Sequence, residues 1–152
     1  MRKAWTTVYA GVIVLYFAYG SNMDLVQMNN RCEGAAVVSK ADLPLHRFII
    51  NSRGVATVVP DQASTVRGLL WRISKEDERS LDRHEGVVQG IYRKSFMRVN
   101  VSSRRKVRAL IYVAVDSTPG EARPGYMEKI VSAAQECGLP QTYIDQLKPW
   151  LR

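Results

Sequence analysis

An eight-residue segment near the amino terminus, YFAYGSNM at positions 16–23, joins an apolar strand pattern to a turn that could bind an anion. Gly20 allows a ligand to approach the backbone closely, and free N–H groups at the start of such a turn attract negative charge. Serine and asparagine are also common helix-capping residues, so Ser21 or Asn22 could instead cap a following helix. By itself, the segment fits either an anion-binding loop or an ordinary turn between a strand and a helix.

The second chemically suggestive residue is Glu85, in the segment LDRHEG at positions 81–86, which is followed by Gly90 and Tyr92. An acid-rich helix is predicted to end at Gly86, so Glu85 belongs to its last turn. The negative end of the helix dipole raises the pKa of a carboxylate there, and a raised pKa suits a general acid or base. The plainer interpretation is a solvated acid on an acidic helix.

Together these two segments resemble the γ-glutamylcyclotransferase family. The first matches the family's Y-x-A-Y-G-S-N-[LM] signature at every position, and the second matches its L-D-x-x-E-G…G-x-Y segment. Further similar stretches extend the resemblance from about residue 15 to residue 147: GVATV at 54–58, VRGLLW at 66–71, the pattern PxYxxxI at 124–130 and the pattern GLPxxYxxxL at 138–147. The last two resemble γ-glutamylcyclotransferases proper more than the shorter γ-glutamylamine cyclotransferases.

The resemblance implies a cytoplasmic enzyme that releases 5-oxoproline from an L-γ-glutamyl substrate, by attack of the substrate's α-amine on its own γ-carbonyl. It implies that Glu85 is the catalytic acid and base. It further implies a set of substrate-binding residues: Tyr16, Phe17, Ala18, Tyr19, Gly20, Ser21, Asn22, Tyr92 and Tyr126. Because the nucleophile comes with the substrate, we expect no cofactor and no metal. The expected partner is a small molecule rather than nucleic acid or a membrane, and a homodimer is left open.

The sequence does not identify the leaving group. A γ-glutamyl amino acid, a γ-glutamylamine, a γ-glutamyl-lysine isopeptide and a γ-glutamyl-protected intermediate of antibiotic biosynthesis all stay open. A non-catalytic relative that only binds a γ-glutamyl ligand is a further alternative, which the intact Glu85 and YGSN segment disfavour.

The elements expected around these residues are a mixture of strands and helices. Apolar runs between turn residues predict strands over 35–39, 47–52, 55–59, 66–73, 91–101 and 107–115. Helices are predicted over 24–30, 74–85, about 126–137 and 141–147. This order predicts an α+β fold with a small, largely closed sheet. The resemblance specifies a mixed β-barrel flanked by helices.

The chain length of 152 residues predicts a single domain, residues 1–152. Residues 4–23 carry no charge, so they could pass for a signal peptide or a short membrane span. Their β-branched and aromatic residues favour a buried strand instead. Residues 1–11 are expected to be an N-terminal extension or an extra strand.

The charge of the chain suggests a different class of function. Lys and Arg number 22 against 14 Asp and Glu, a net charge of +8, and residues 87–115 contain no acid. The predicted hairpin at 91–110 could therefore bind nucleic acid. Its aromatic residues are not spaced as a stacking platform, and no RNA- or DNA-binding motif is present. Metal binding is not expected either, because the available ligands fit no familiar spacing: Cys32, Cys137, His46 and His84.

Overall fold

A closed barrel of five strands is the centre of the computed structural model, which describes residues 13–151. The strands are β1 (Ile13–Ala18), β2 (Ala36–Ile50), β3 (Ala56–Ser74), β4 (Tyr92–Ser102) and β5 (Arg105–Ala114). Their order around the barrel is β1, β3, β2, β4, β5. Neighbouring strands are antiparallel, except that β5 and β1 run parallel where the barrel closes. The predicted α+β fold with a mixed barrel is therefore confirmed.

Four helices accompany the barrel: α1 (Leu25–Arg31), α2 (Lys75–His84), α3 (Tyr126–Glu136) and α4 (Gln141–Leu147). Short 3-10 turns cover Ser21–Met23 and Lys148–Trp150. All four helices lie where the sequence predicts them. Within residues 13–151, no helix is both long enough and apolar enough to cross a membrane.

The prediction of four short strands before α2 is wrong, because they merge into the long strands β2 and β3. Pro44, in the gap between the strands predicted over 35–39 and 47–52, lies inside β2 and pairs with Thr65. The register shifts after Pro44, and Leu45 adopts a φ of 63° there. A bulge of this kind bends a strand without ending it, and it tolerates the missing N–H of a proline.

The second half of the first strand is buried, as the sequence predicts. Residues 13–18 form β1, whose side chains from Tyr16 onward are almost fully buried. The extension expected at residues 1–11 lies outside the described residues. β1 pairs with β3 from Ile13 to Ala18 and then leaves the sheet, so the segment after it crosses the end of the barrel.

Helix α2 begins and ends at residues that fix its place against the barrel. Ser74 and Asp77 form a reciprocal capping box at its start. At its last turn, Asp82 accepts a hydrogen bond from the Tyr112 hydroxyl of β5 (2.7 Å). Lys94 of β4 forms ion pairs with Glu78 and Asp82. These contacts hold the last turns of α2 against β4 and β5.

Candidate active site

A cavity of about 480 Å³ opens at the barrel end where β1 finishes and β3 and β4 begin. Its wall combines the turn after β1, the end of α2, the start of β3 and the first turn of α3. Glu85 lines it, together with seven of the nine residues predicted to bind substrate: Tyr16, Tyr19, Gly20, Ser21, Asn22, Tyr92 and Tyr126. Segments up to 110 residues apart in the sequence therefore meet at one site.

Glu85 is the carboxylate of this cavity, and the end of α2 places it there. Its backbone N–H donates to the Leu81 carbonyl (2.8 Å), and Gly86 follows with a φ of 66°, which ends the helix. Burial raises the pKa of Glu85 to about 7, against the opposing effect of the Arg31 guanidinium. The predicted direction is thus correct, but burial is the main cause. A carboxyl group with this pKa accepts and returns protons near neutral pH.

Four tyrosine hydroxyls lie within the electrostatic influence of Glu85, which raises the pKa of each in addition to the larger effect of burial: Tyr16, Tyr19, Tyr92 and Tyr126. These hydroxyls therefore stay neutral at physiological pH. Tyr19 donates its proton to the Tyr112 carbonyl (2.6 Å), and Tyr92 donates to the Ala56 carbonyl (2.5 Å). Both hydroxyl protons are therefore engaged by backbone carbonyls of the barrel, and these two tyrosines shape the cavity.

The other two hydroxyls accept hydrogen bonds and keep their own protons for a ligand. Tyr126 accepts the Ala56 N–H (3.0 Å), and Tyr16 accepts from the Asn22 amide (2.9 Å). No described residue accepts the proton of either hydroxyl. A substrate carbonyl or carboxylate between them would meet two available donors.

The turn after β1 adds backbone donors to the same wall. Gly20, Ser21 and Asn22 lie at its start, and no hydrogen bond within the described residues engages their N–H groups. The Asn22 side chain is buried, and it links Tyr16 to Arg31, whose guanidinium donates to the Asn22 carbonyl oxygen (3.0 Å). Asn22 thus lines the cavity with an N–H that has no acceptor among the described residues, while its side chain positions two neighbours.

Phe17 and Ala18 are not among the residues that line the cavity, and their contact with substrate stays a prediction. The chain does not leave the sheet until after Ala18, so both residues are still paired with β3, opposite Leu70 and Leu69. Both are fully buried in the core. The structure shows that both side chains pack in the core on the strand that leads into the turn.

Sequence reasoning missed the arginines of the cavity. Its wall carries four arginine side chains and one carboxylate, and these arginines are Arg31, Arg53, Arg83 and Arg123. Two of them were detectable in principle, because Arg53 directly precedes the GVATV segment and Arg123 directly precedes the PxYxxxI pattern. The excess of positive charge suits an anionic ligand.

The basic hairpin lies on a different surface. Arg98 and Arg108 are exposed and directly opposite each other on β4 and β5, and Arg108 stacks over the Phe96 ring (4.3 Å to its centre). Among the described basic residues between 93 and 108, none lines the cavity. The exposed charges of the hairpin therefore lie outside the cavity wall, although Lys94 of β4 contacts α2, the helix that places Glu85.

Comparison with known proteins confirms the resemblance stated from the sequence. The profile of the AIG2-like family matches residues 65–147. Mouse γ-glutamylcyclotransferase is 30% identical over 148 residues, which cover 91% of this chain and 79% of the mouse protein. The human γ-glutamylcyclotransferase is 30% identical over 144 residues, covering 88% of this chain and 77% of the human protein.

Comparison with solved structures supports the same resemblance. A solved structure of a γ-glutamyl cyclotransferase superposes with a TM-score of 0.83 and 29% identity, over 90% of this chain and 86% of that one. The sequence and structure comparisons thus each cover about nine tenths of this chain. The chain belongs to the AIG2-like family and is an enzyme of the γ-glutamylcyclotransferase type.

Proposed function

We propose that the protein releases 5-oxoproline from an L-γ-glutamyl compound by an intramolecular cyclisation, with Glu85 as the only proton-transfer group. The observation that carries this proposal is the carboxyl group of Glu85, with a pKa of about 7, in a cavity lined by tyrosines and arginines. Burying an ionisable carboxyl group lowers the stability of a protein, and carboxyl groups with strongly raised pKa values are frequent at active sites. The presence of one in this cavity therefore supports a role in proton transfer.

The proposed reaction balances without any further reactant. Glu85 takes a proton from the substrate's α-ammonium, and the freed amine nitrogen forms a bond to the γ-carbonyl carbon. The carbonyl electron pair moves to oxygen, giving a tetrahedral adduct with an anionic oxygen and a ring nitrogen that still carries one extra proton. Glu85 then returns its proton to the leaving nitrogen, the bond from carbon to that nitrogen breaks, and the carbonyl of 5-oxoproline re-forms. The ring nitrogen gives its extra proton to the departing amine, which leaves as an ammonium. Holding the two reacting groups of one molecule in line can supply an effective concentration of about 10⁵–10⁸ M.

The cavity offers donors for the developing charge. The hydroxyl protons of Tyr16 and Tyr126 and the N–H groups of residues 20–22 all lie on its wall without acceptors among the described residues. Donors fixed in advance stabilise an oxyanion more effectively than water does. In the proposed complex, these groups hold the substrate's α-carboxylate and the oxygen of the tetrahedral anion.

The direct test is product analysis with three compounds. We expect L-γ-glutamyl-L-alanine to give 5-oxoproline and alanine, detected by mass spectrometry. N-acetyl-γ-glutamyl-alanine should give no product, because its nitrogen cannot attack, and α-glutamyl-alanine should be inert as well. Release of glutamate instead of 5-oxoproline would identify a hydrolase. Binding of γ-glutamyl-alanine without any turnover would identify the non-catalytic alternative, and either result would overturn the proposal.

The pH dependence of kcat/KM should report the carboxyl group of Glu85. Its pKa of about 7 predicts that activity rises with pH through about 7, since only the ionised form can accept the first proton. Arg31 lowers this pKa, so Arg31→Gln should move the midpoint to higher pH, whatever it does to KM. Initial rates between pH 5 and 8.5 measure both midpoints. A profile that stays flat over this range would contradict the assignment of the base.

A further inference from the structure

The cavity wall formed by the loop before β3 and the segment before α3 carries a cation that is held in place. The Arg123 Nε donates to the Arg53 carbonyl (2.9 Å), and the Arg123 backbone N–H donates to the Gly54 carbonyl (3.1 Å). These two bonds fix both ends of the Arg123 side chain. The two terminal nitrogens of its guanidinium group take part in neither bond, and Arg123 lines the cavity.

Gly54 provides the room that this arrangement needs. Its φ is +82°, and a Cβ at this position would lie 2.8 Å from the Arg123 Cγ and 3.0 Å from the Arg123 nitrogen. Any larger residue would therefore displace the arginine as well as strain the backbone. The close approach of Gly54 and Arg123 shows that the arginine is positioned by the fold rather than lying loosely on the surface.

A second cation occupies a different part of the wall. Arg31 is half-buried and hydrogen-bonded to Asn22, which is in turn hydrogen-bonded to Tyr16. Its positive charge lowers the pKa of Glu85. Arg123 instead lies beside Tyr92 and Tyr126, and it is exposed. The cavity thus has one cation near the reacting carboxyl group and another at its opening.

A substrate with two carboxylates would use both cations. The γ-glutamyl unit is the same in every substrate, so it belongs in the buried part beside Glu85, Tyr16 and Arg31. The leaving group varies in size and belongs towards the opening, where Arg123 lies. A leaving amino acid carries a carboxylate there, whereas a leaving amine carries none.

We propose that Arg123 binds the carboxylate of the leaving amino acid and thereby makes the enzyme selective for γ-glutamyl amino acids over γ-glutamylamines. This inference rests on the proposed cyclisation. Arginine matches a carboxylate with two parallel N–H donors, and such charge-assisted bonds are about twice as strong as neutral ones. Since Arg123 is already fixed, binding loses little side-chain freedom.

Arg83 is the competing candidate at the opening. It is exposed and lines the same cavity, but its side chain has no hydrogen bond within the described residues. An unfixed arginine loses more rotamer freedom when it binds, which makes it the weaker choice. The two arginines lie on different elements, α2 and the segment before α3, so mutation can separate their contributions.

The experiment compares two substrates that differ by one carboxylate. L-γ-Glutamyl-L-alanine and L-γ-glutamyl-ethylamide share every other heavy atom, and 5-oxoproline release is measured for both. We expect the wild-type protein to prefer the alanine compound. Arg123→Gln should lower kcat/KM for the alanine compound by about 10–100-fold, chiefly through KM, and change the ethylamide value by less than about threefold.

Two further variants complete the test. Arg98→Gln removes the same charge from the exposed hairpin and should leave both substrates unchanged. Equal losses on both substrates in Arg123→Gln, or a selective loss in Arg83→Gln instead, would overturn the role of Arg123 while leaving the cyclisation intact. If the wild-type protein releases 5-oxoproline from neither compound, the proposed function itself fails, and the two failures are thereby distinguished.

Discussion

Replacing Glu85 by glutamine is expected to lower kcat/KM for 5-oxoproline release by about 10²–10⁴-fold. Glutamine keeps the size and the hydrogen-bonding shape of the side chain but can neither accept the proton of the α-ammonium nor return one to the leaving nitrogen. Substrate binding should change far less, because the tyrosines, arginines and backbone donors of the cavity stay in place. The measurement is steady-state release of 5-oxoproline, with binding of γ-glutamyl-alanine followed by calorimetry.

The same variant should be more stable than the wild type above neutral pH. The pKa of Glu85 is raised from 4.5 to about 7, so between these two pH values the carboxyl group is mainly neutral in the folded state and mainly ionised in the unfolded state. Its favourable contribution is present below about pH 4.5 and is lost as pH rises through about 7. Each pKa unit is worth about 1.4 kcal/mol, so the loss approaches about 3 kcal/mol. Glutamine does not ionise, so the Glu85→Gln protein does not undergo this loss of stability.

This coupling separates a catalytic role from structural damage. An inactive Glu85→Gln protein that melts at a higher temperature than the wild type at pH 8, and at a similar temperature at pH 4.5, has lost only the proton-transfer group. Glu76→Gln is the matched control, because Glu76 is exposed in the first turn of the same helix and far from the cavity. Near-wild-type turnover in Glu85→Gln would refute the assignment.

Glu85→Asp should also lose most activity, since the shorter side chain withdraws the carboxylate from the reacting nitrogen by about 1 Å.

The sequence predicted the elements near the site better than the body of the barrel. The ends of α2 follow from local chemistry, since a capping serine and a left-handed glycine act within one turn of the chain. The continuity of β2 across Pro44 could not be predicted in this way. It depends on pairing with β3, where a register shift at Leu45 accommodates the proline, and Pro44 is paired there with Thr65, 21 positions away.

The same distinction applies to the residues of the cavity. Glu85 and the turn at residues 20–22 belong to short segments whose composition already suggests their chemistry. Arg123 does not, because an arginine in a loop is most often a solvated surface residue. Its position depends on the carbonyl of Arg53 and on the absent side chain of Gly54, 69 positions away, and only the three-dimensional structure brings these together.

Replacing Gly68 by alanine is expected to destabilise the protein by about 3 kcal/mol or more, at the upper end of overpacking effects. A Cβ on Gly68 would fall well inside van der Waals contact with the Ala18 carbonyl oxygen and would lie 3.0 Å from the Phe17 ring. The Ala18 carbonyl belongs to the backbone at the point where β1 leaves the sheet, so it cannot rotate away as a side chain would. In a chain of this length, such a loss lowers Tm by about 10 °C.

The damage should also reach the cavity. Displacing Ala18 moves Tyr19 and Gly20, which directly follow it and line the site, so KM for γ-glutamyl-alanine should rise even in protein that is still folded. Gly90→Ala is the control, because no atom lies within 4 Å of a Cβ built there and only its φ of +75° opposes the change. We expect that variant to lose about 1 kcal/mol, in keeping with the cost of a left-handed alanine. If thermal melts find Gly68→Ala no less stable than Gly90→Ala, the close packing of β3 against the end of β1 does not constrain the turn that carries the site.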